Sequence, residues 1–295
     1  MALIEKLTNI ADGFRTSRSL TEKLSLDEMA VLAAVPIQQG GDNKIGQFVD
    51  GSLTVITAAD LGDITTIRNY AFYKSPITSI ELPASITNYL NSSVWTDSNS
   101  LTEVKYDGTI EDWATKITAA NSNAIPTGLS SVNTMWFRNN QGEYYKVEDD
   151  LIIPEGPTGI NPYMFGNFTL PRNIVVPSSA KTLGRYSFYG CSNVINITLK
   201  DGIEVINQQG FSGCNIQNLV IPNSARSLQT QAFAYCNSLS EVRIGNGITT
   251  MASNAFSSCP NLTDIYIDKA EGSVSGAPWG ATNATVHWNT PLPTN

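Results

Sequence analysis

Four cysteines, Cys191, Cys214, Cys236 and Cys259, and a single histidine, His287, carry the widest chemical range in this 295-residue chain. A thiol serves as nucleophile, zinc ligand, half of a disulfide or small apolar side chain, depending on its surroundings. Zinc ligands come in pairs two to four residues apart. These cysteines instead follow one another at steps of 23, 22 and 23, with no histidine partner among them. Any Ser–His or Cys–His relay would have to run through His287. The stretch GFSGC, Gly210 to Cys214, lacks the Gly-x-Ser-x-Gly spacing of a nucleophile elbow. Neither a phosphate-cradling glycine loop nor His-Glu-x-x-His occurs. Paired carboxylates are the remaining route to catalysis, since glycoside hydrolysis needs two of them about 5 Å or about 6.5–9.5 Å apart. Glu241 with Asp264, or Glu103 with its neighbours, are the candidates. On a flat, wet sheet their acidities would not be tuned apart. The expectation is no enzyme, no metal and no cofactor.

The element that positions the cysteines is a repeat. Each follows a phenylalanine by three: Phe188, Phe211, Phe233 and Phe256. The same frame reaches back to Phe165 and forward to Trp279, and places Phe72 and Trp95 23 residues apart. Each unit closes on an alternating run, such as Ile174/Val176, Ile197/Leu199, Leu219/Ile221, Val242/Ile244 and Ile265/Ile267. Alternation puts one face in and one face out. The core ladder is therefore expected from Phe165, Phe188, Phe211, Phe233 and Phe256 together with Cys191, Cys214, Cys236 and Cys259. Equal spacing gives every thiol the same ladder position, and a buried cysteine behaves as a small hydrophobe. The intervening residues form an outward row, in which Glu81, Lys105, Thr198, Val220, Arg243 and Tyr266 are the candidate ligand-facing side chains, with Val175 between them. Pro83, Pro177 and Pro222, or Gly245 in the same slot, end the strand.

A pattern of aromatic-x-x-Cys-x-x-Leu, then an alternating strand and Pro, resembles the BspA-type leucine-rich repeats of bacterial surface proteins and phage tail proteins. The resemblance spans roughly residues 61 to 288 and implies a β-rich leucine-rich-repeat solenoid of 22–23-residue repeats. Ser75 and Asn99 depart from the pattern, taking the cysteine slot or sitting just after it.

Composition agrees with a turn-rich β surface: 41% apolar, 9% aromatic and only 15% charged residues, against roughly 25% charged in an average domain. The formal charge of −8 and the lack of a basic cluster argue against nucleic acid as a partner. No apolar run approaches the ~18 residues needed to cross a bilayer. Glu5, Lys6 and Asp12 interrupt the opening stretch where a secretion signal needs its apolar region.

Six segments follow. Residues 1–36 read as two short amphipathic helices, the second opened by Ser25 with Glu28 and stopped by Pro36. Residues 37–50 are a linker, 51–107 a first half of repeats, and 108–150 an irregular insertion. Within that insertion a helix starts at Thr109, and TMWFRNNQGEYYKV forms a hairpin. Residues 151–268 are a second half, and 269–295 a cap with Trp279 and Trp288. The opening IEKLTNIADGFR followed by LSLDEMA resembles the start of phage and prophage tail-associated proteins. That resemblance implies a virion protein that attaches through its N-terminal helices to other tail proteins and recognises a bacterial surface glycan or protein through the solenoid face, with homo-oligomers among its options. The alternatives are a cell-surface adhesin of the same repeat family and a purely structural virion fibre or decoration protein.

Overall fold

A computed structural model describes residues 44–45 and 54–293, apart from 68–70, 73–74, 90–91, 96, 120–124, 127–128 and 130. The helices expected within residues 1–36, and most of the linker, lie outside the described residues. The chain divides into two compact units, Met1–Thr109 with Ala119–Lys146 and Ile110–Thr118 with Val147–Asn295. Each is a β-solenoid.

The first unit is built on β1 (Val55–Ile56), β2 (Ser79–Leu82), β3 (Glu103–Tyr106) and β4 (Thr134–Arg138), which pair in parallel, and on β5 (Tyr144–Val147). A short helix α1 (Ala58–Leu61) follows β1, closed by a capping box between Thr57 and Asp60. Ile56, Ile80, Val104 and Met135 lie in register and are buried. Strand β4 sits inside the segment expected to be an insertion, yet it continues the ladder: Val104 pairs with Met135 and Lys105 with Trp136. The spacing of 31 residues in place of 23 hides it from a fixed frame. The expected hairpin follows, its turn closed by Asn139 N–H to the Glu143 carbonyl at 2.8 Å.

The second unit begins with α2 (Ile110–Lys116), which starts just after Thr109 and places Glu111 and Asp112 in its first turn and Lys116 in its last, the order the helix dipole favours. Its Trp113 is buried and donates to the Met164 carbonyl at 2.9 Å, while Asn161 donates to the carbonyls of Thr115 and Ile117 at 2.6 and 2.9 Å. The helix thereby covers the first rung. The long strands are β6 (Asp150–Ile152), β7 (Asn173–Val176), β8 (Asn196–Leu199), β9 (Asn218–Ile221), β10 (Glu241–Ile244), β11 (Asp264–Ile267) and β12 (Thr285–Trp288). Two-residue return strands from Gly159–Ile160 to Thr250–Met251 form a second parallel sheet. Trp279 is fully buried at the last rung, with Trp288 edge-on to it at 6.0 Å.

Between the two sheets runs the phenylalanine column. Ring centroids of Phe165, Phe188, Phe211, Phe233 and Phe256 follow at 5.3, 4.9, 5.4 and 5.8 Å, with planes within 17° of parallel. These distances match the rung spacing of ~4.8 Å that backbone pairing imposes. The thiols do more than fill space. Cys191, Cys214, Cys236 and Cys259 each donate to the carbonyl of the phenylalanine one rung back, at 3.0, 3.3, 3.4 and 3.2 Å. Burial pushes the Cys214 thiol well up, with Cys191 beside it adding to the shift. In the first unit Ser98 occupies this slot, with Asn99 just after it, and the Ser98 hydroxyl donates to the Phe72 carbonyl while Phe72 stacks on Trp95 at 4.4 Å. The slot therefore asks for a small donor, which cysteine and serine both supply.

The corners between rungs use left-handed residues, among them Tyr186 (φ 58°), Gly190 (70°), Gln209 (54°), Gly213 (78°), Gln231 (56°) and Tyr235 (57°). A second column of clips ties rung to rung on the far side. Glu155 accepts from Ser178 N–H at 3.2 Å, Ser179 N–H at 3.0 Å and Lys200 Nζ at 2.9 Å, and Asp201 accepts from Ser224 N–H at 2.9 Å.

Deleting one rung's ring is expected to cost far more than deleting its thiol. Phe211→Ala should lower the unfolding free energy by about 3–5 kcal/mol and Cys214→Ala by about 1–2 kcal/mol, both read by urea titration. The Lys200 ammonium and the Ser179 and Ser178 N–H groups hold the Glu155 carboxyl at about 2, below the ordinary glutamate value of about 4.3. Its contribution to stability is therefore in place above about pH 4.3 and lost as the pH falls towards 2. Glu155→Gln should lower the melting temperature at pH 7 and flatten its decline over that window.

Candidate functional site

With cores so uniform, the variable chemistry lies on the outward faces of the long strands. Each of the six candidate positions points there, and in each unit the rung spacing decides which of them touch.

In the first unit, Glu81 pairs in register with Lys105, and Lys105 with Trp136. The Lys105 ammonium lies 5.8 Å from the centre of the Trp136 ring. Glu103 accepts from Trp136 Nε1 at 2.8 Å and from the Ser79 hydroxyl at 3.0 Å. The Tyr144 hydroxyl donates to Glu81 at 2.5 Å, and Ala58 N–H donates to the other Glu81 oxygen at 3.1 Å. Burial, then the hydrogen bond to Glu81, pushes the Tyr144 phenol well up. The Arg138 guanidinium covers the Tyr144 ring at 4.0 Å and donates from Nε to Asp107 at 2.5 Å. These carboxylates are held by fixed donors, so the arrangement reads as a rigid polar face and not as a catalytic pair.

The second unit carries two outward columns. One runs Asp150, Asn173, Asn196 in register. Its amides donate up the ladder, Asn173 to Asp150 at 2.6 Å and Asn196 to Asn173 at 2.7 Å. The other runs Ile152, Val175, Thr198, with Ile152 57% exposed. The outer sheet is interrupted between β8 and β9. Asn196 opens its strand five residues after Cys191, but Asn218 opens its own only four after Cys214. One residue too few shifts the strand against its neighbour.

Beyond the interruption the columns resume as Asn218, Glu241, Asp264, Thr285 and as Val220, Arg243, Tyr266, His287. Val220 is 46% exposed. Arg243 sits 4.4 Å over the Tyr266 ring, and Tyr266 stacks on His287 at 4.4 Å and 14°. Glu241 binds Arg243 Nε at 2.7 Å, and Asp264 binds His287 Nε2 at 2.8 Å. The imidazole and the Thr263 hydroxyl hold the Asp264 carboxyl below its usual range. Glu241 and Asp264 do face each other in register, as the rung geometry predicts, but each is committed to its own partner. The expected role of His287 in a terminal cap omits its place in this column. The signal was present as Tyr266 followed 21 residues later by His287, two short of the regular frame. Trp136 and Arg138 were missed for the same kind of reason, since their rung follows the one before it by 31 residues in place of 23, and Tyr144 lies beyond it across the hairpin. Among the described residues no group of three His, Cys, Asp or Glu side chains is placed to hold a metal, and no helix is long and apolar enough to cross a membrane.

Comparison with known proteins bears on the fold. The sequence matches the family described as "BspA type Leucine rich repeat region", in six copies, over residues 45–152 and 158–275. No curated protein matches the chain. Among solved structures, a leucine-rich repeat protein from Bacteroides ovatus superposes with a TM-score of 0.50 at 14% identity, covering 83% of this chain and 64% of that one. A leucine rich cell surface protein from Faecalibacterium prausnitzii gives 0.43 at 16%, covering 78% and 91%. The pneumococcal vaccine antigen PcpA gives 0.48 at 12%, covering 83% and 78%.

Removing the imidazole should release Asp264. In a His287→Ala variant the Asp264 carboxyl is expected to titrate higher, towards the ordinary aspartate value of about 3.9, as followed by carbonyl-carbon NMR across the acid range.

Proposed function

Since the chain belongs to the BspA-type leucine-rich-repeat family, with matching repeats over residues 45–152 and 158–275, we propose that it works without catalysis, as a surface recognition protein. Its partner is a protein or glycan of a bacterial or neighbouring cell, held on the outward strand faces. One observation carries the reading. Outward side chains differ from rung to rung, as from Thr198 to Val220 to Arg243 to Tyr266, while the phenylalanine column beneath stays the same. A preformed face of this kind binds with little ordering cost, and its residues change without disturbing the core.

Cell-surface adhesion is the reading favoured by the family. Attachment to a phage or prophage particle through residues 1–36 rests on the resemblance of that segment alone, and proteomics of purified particles tests it. The face itself is tested with the full-length chain on intact cells. A Thr198→Lys, Val220→Glu double variant should bind cells about tenfold or more weakly, with an unchanged unfolding midpoint. Undiminished binding by the folded variant would exclude the Thr198–Val220 part of the strand face from the recognition surface.

A further inference from the structure

We propose that the Arg243–Tyr266–His287 column, with Glu241 and Asp264 beside it, is a binding site for a neutral, hydroxyl-rich carbohydrate chain; this names the partner class within the recognition reading above and rests on it. The argument starts from what stacking leaves available. Tyr266 is sandwiched, with the Arg243 guanidinium 4.4 Å from its centre on one side and the His287 ring at 4.4 Å on the other. A sugar ring therefore has no aromatic face of Tyr266 to lie on. What reaches solvent is a row of polar edges, one per rung.

Those edges have unused capacity. Arg243 commits Nε to Glu241, and His287 commits Nε2 to Asp264. Among the described residues, the two terminal nitrogens of Arg243, the Tyr266 hydroxyl and the second ring nitrogen of His287 make no hydrogen bond, although all three side chains are partly exposed. The stacking and the two carboxylates fix these groups in place, so little rotamer freedom remains to be lost on binding. One column thus carries the Arg243 N–H donors, the Tyr266 hydroxyl, which donates and accepts, and the second ring nitrogen of His287, which accepts in the neutral imidazole and donates in the protonated one, ~4.8 Å apart from rung to rung. Carboxylate acceptors line the other column, two residues along each strand, at ~6.6 Å.

Charge selects the ligand. Two carboxylates against one guanidinium leave the patch one charge negative with a neutral imidazole, and balanced with a protonated one. Phosphate or uronate would meet both carboxylates at close range. A cation would have to displace Arg243 and His287 from them. A hydroxyl group donates and accepts at once, and so can bridge from a carboxylate in one column to a donor in the next. Because strand β12 continues the pairing of β10 and β11, the columns offer several such bridges in line, which suits a chain of sugars better than a single one. Val220, exposed in the rung before Arg243, gives the C–H surface of a sugar an apolar neighbour.

His287 is the single histidine of the chain, so its ring signals form an isolated NMR reporter at the site. The full-length protein is titrated with dextran, mannan and galactan as neutral polymers, and with polygalacturonate as the acidic one. At least one neutral polymer should shift the His287 signals, and polygalacturonate should not. Tyr266→Phe, which keeps the stack, and Arg243→Lys, which keeps the charge, should each weaken that binding about fivefold or more, roughly the loss of one hydrogen bond. Silence of His287 towards all three neutral polymers would overturn the assignment, as would a response to polygalacturonate alone or binding unchanged in both variants. If His287 is silent while cell binding still depends on Thr198 and Val220, the carbohydrate assignment falls and the recognition reading stands. If cell binding is absent as well, both fall.

Discussion

The constraint on which everything else depends is the distance between hydrogen-bonded strands, ~4.8 Å. A residue on one rung finds its counterpart on the next at about that separation, and every side chain must be compatible with its own neighbour in the ladder. Flat rings meet the condition well, which is why phenylalanines follow one another at 4.9–5.8 Å through the second unit. The same rule orders polar groups. Asparagine amides hand hydrogen bonds up the column from Asn196 to Asn173 to Asp150, and the corner residues Glu155 and Asp201 accept N–H groups from the next rung. Burial alone would not demand such fidelity; register does.

A thiol in this setting is chosen for being both small and a donor. Cysteine leads to the phenylalanine carbonyl of the rung before it in four successive units, and Ser98 does the same in the other unit. Reading the cysteine as a small apolar filler accounts for its burial but leaves out the carbonyl, to which the thiol adds a second donor: Phe165, Phe188 and Phe211 already accept from the N–H groups of Phe168, Cys191 and Cys214 at 3.2, 3.5 and 3.3 Å.

Repeat spacing made the fold class, the inward columns and the outward row legible in the amino-acid sequence. Where the spacing held, so did the register: Val220, Arg243 and Tyr266 pair with the counterparts that the frame predicts. Where the spacing changed, neighbours were lost. Trp136 stands 31 residues from Lys105, and His287 stands 21 from Tyr266, so neither was seen as part of its column. Insertions and deletions fall in the loops, and only the hydrogen-bonded strands show which residue comes next. The interruption at β8 and β9 has the same origin, a single missing residue after Cys214. Contacts that cross several strands, such as Tyr144 with Glu81 and Asp107, leave no periodic trace at all.

The four buried thiols also bear on how the protein would fail. Folded, each is shielded from solvent and turned towards a carbonyl. Unfolded in an oxidising medium, all four would become free to pair in any combination, since thiolate exposure governs exchange. Mispaired chains could not restore the ladder, because every rung needs its own thiol in its own slot. Endurance outside a reducing compartment would then be set by how slowly the rungs open rather than by the depth of the folded minimum. A column of identical residues that makes assembly simple would thus also make its loss irreversible.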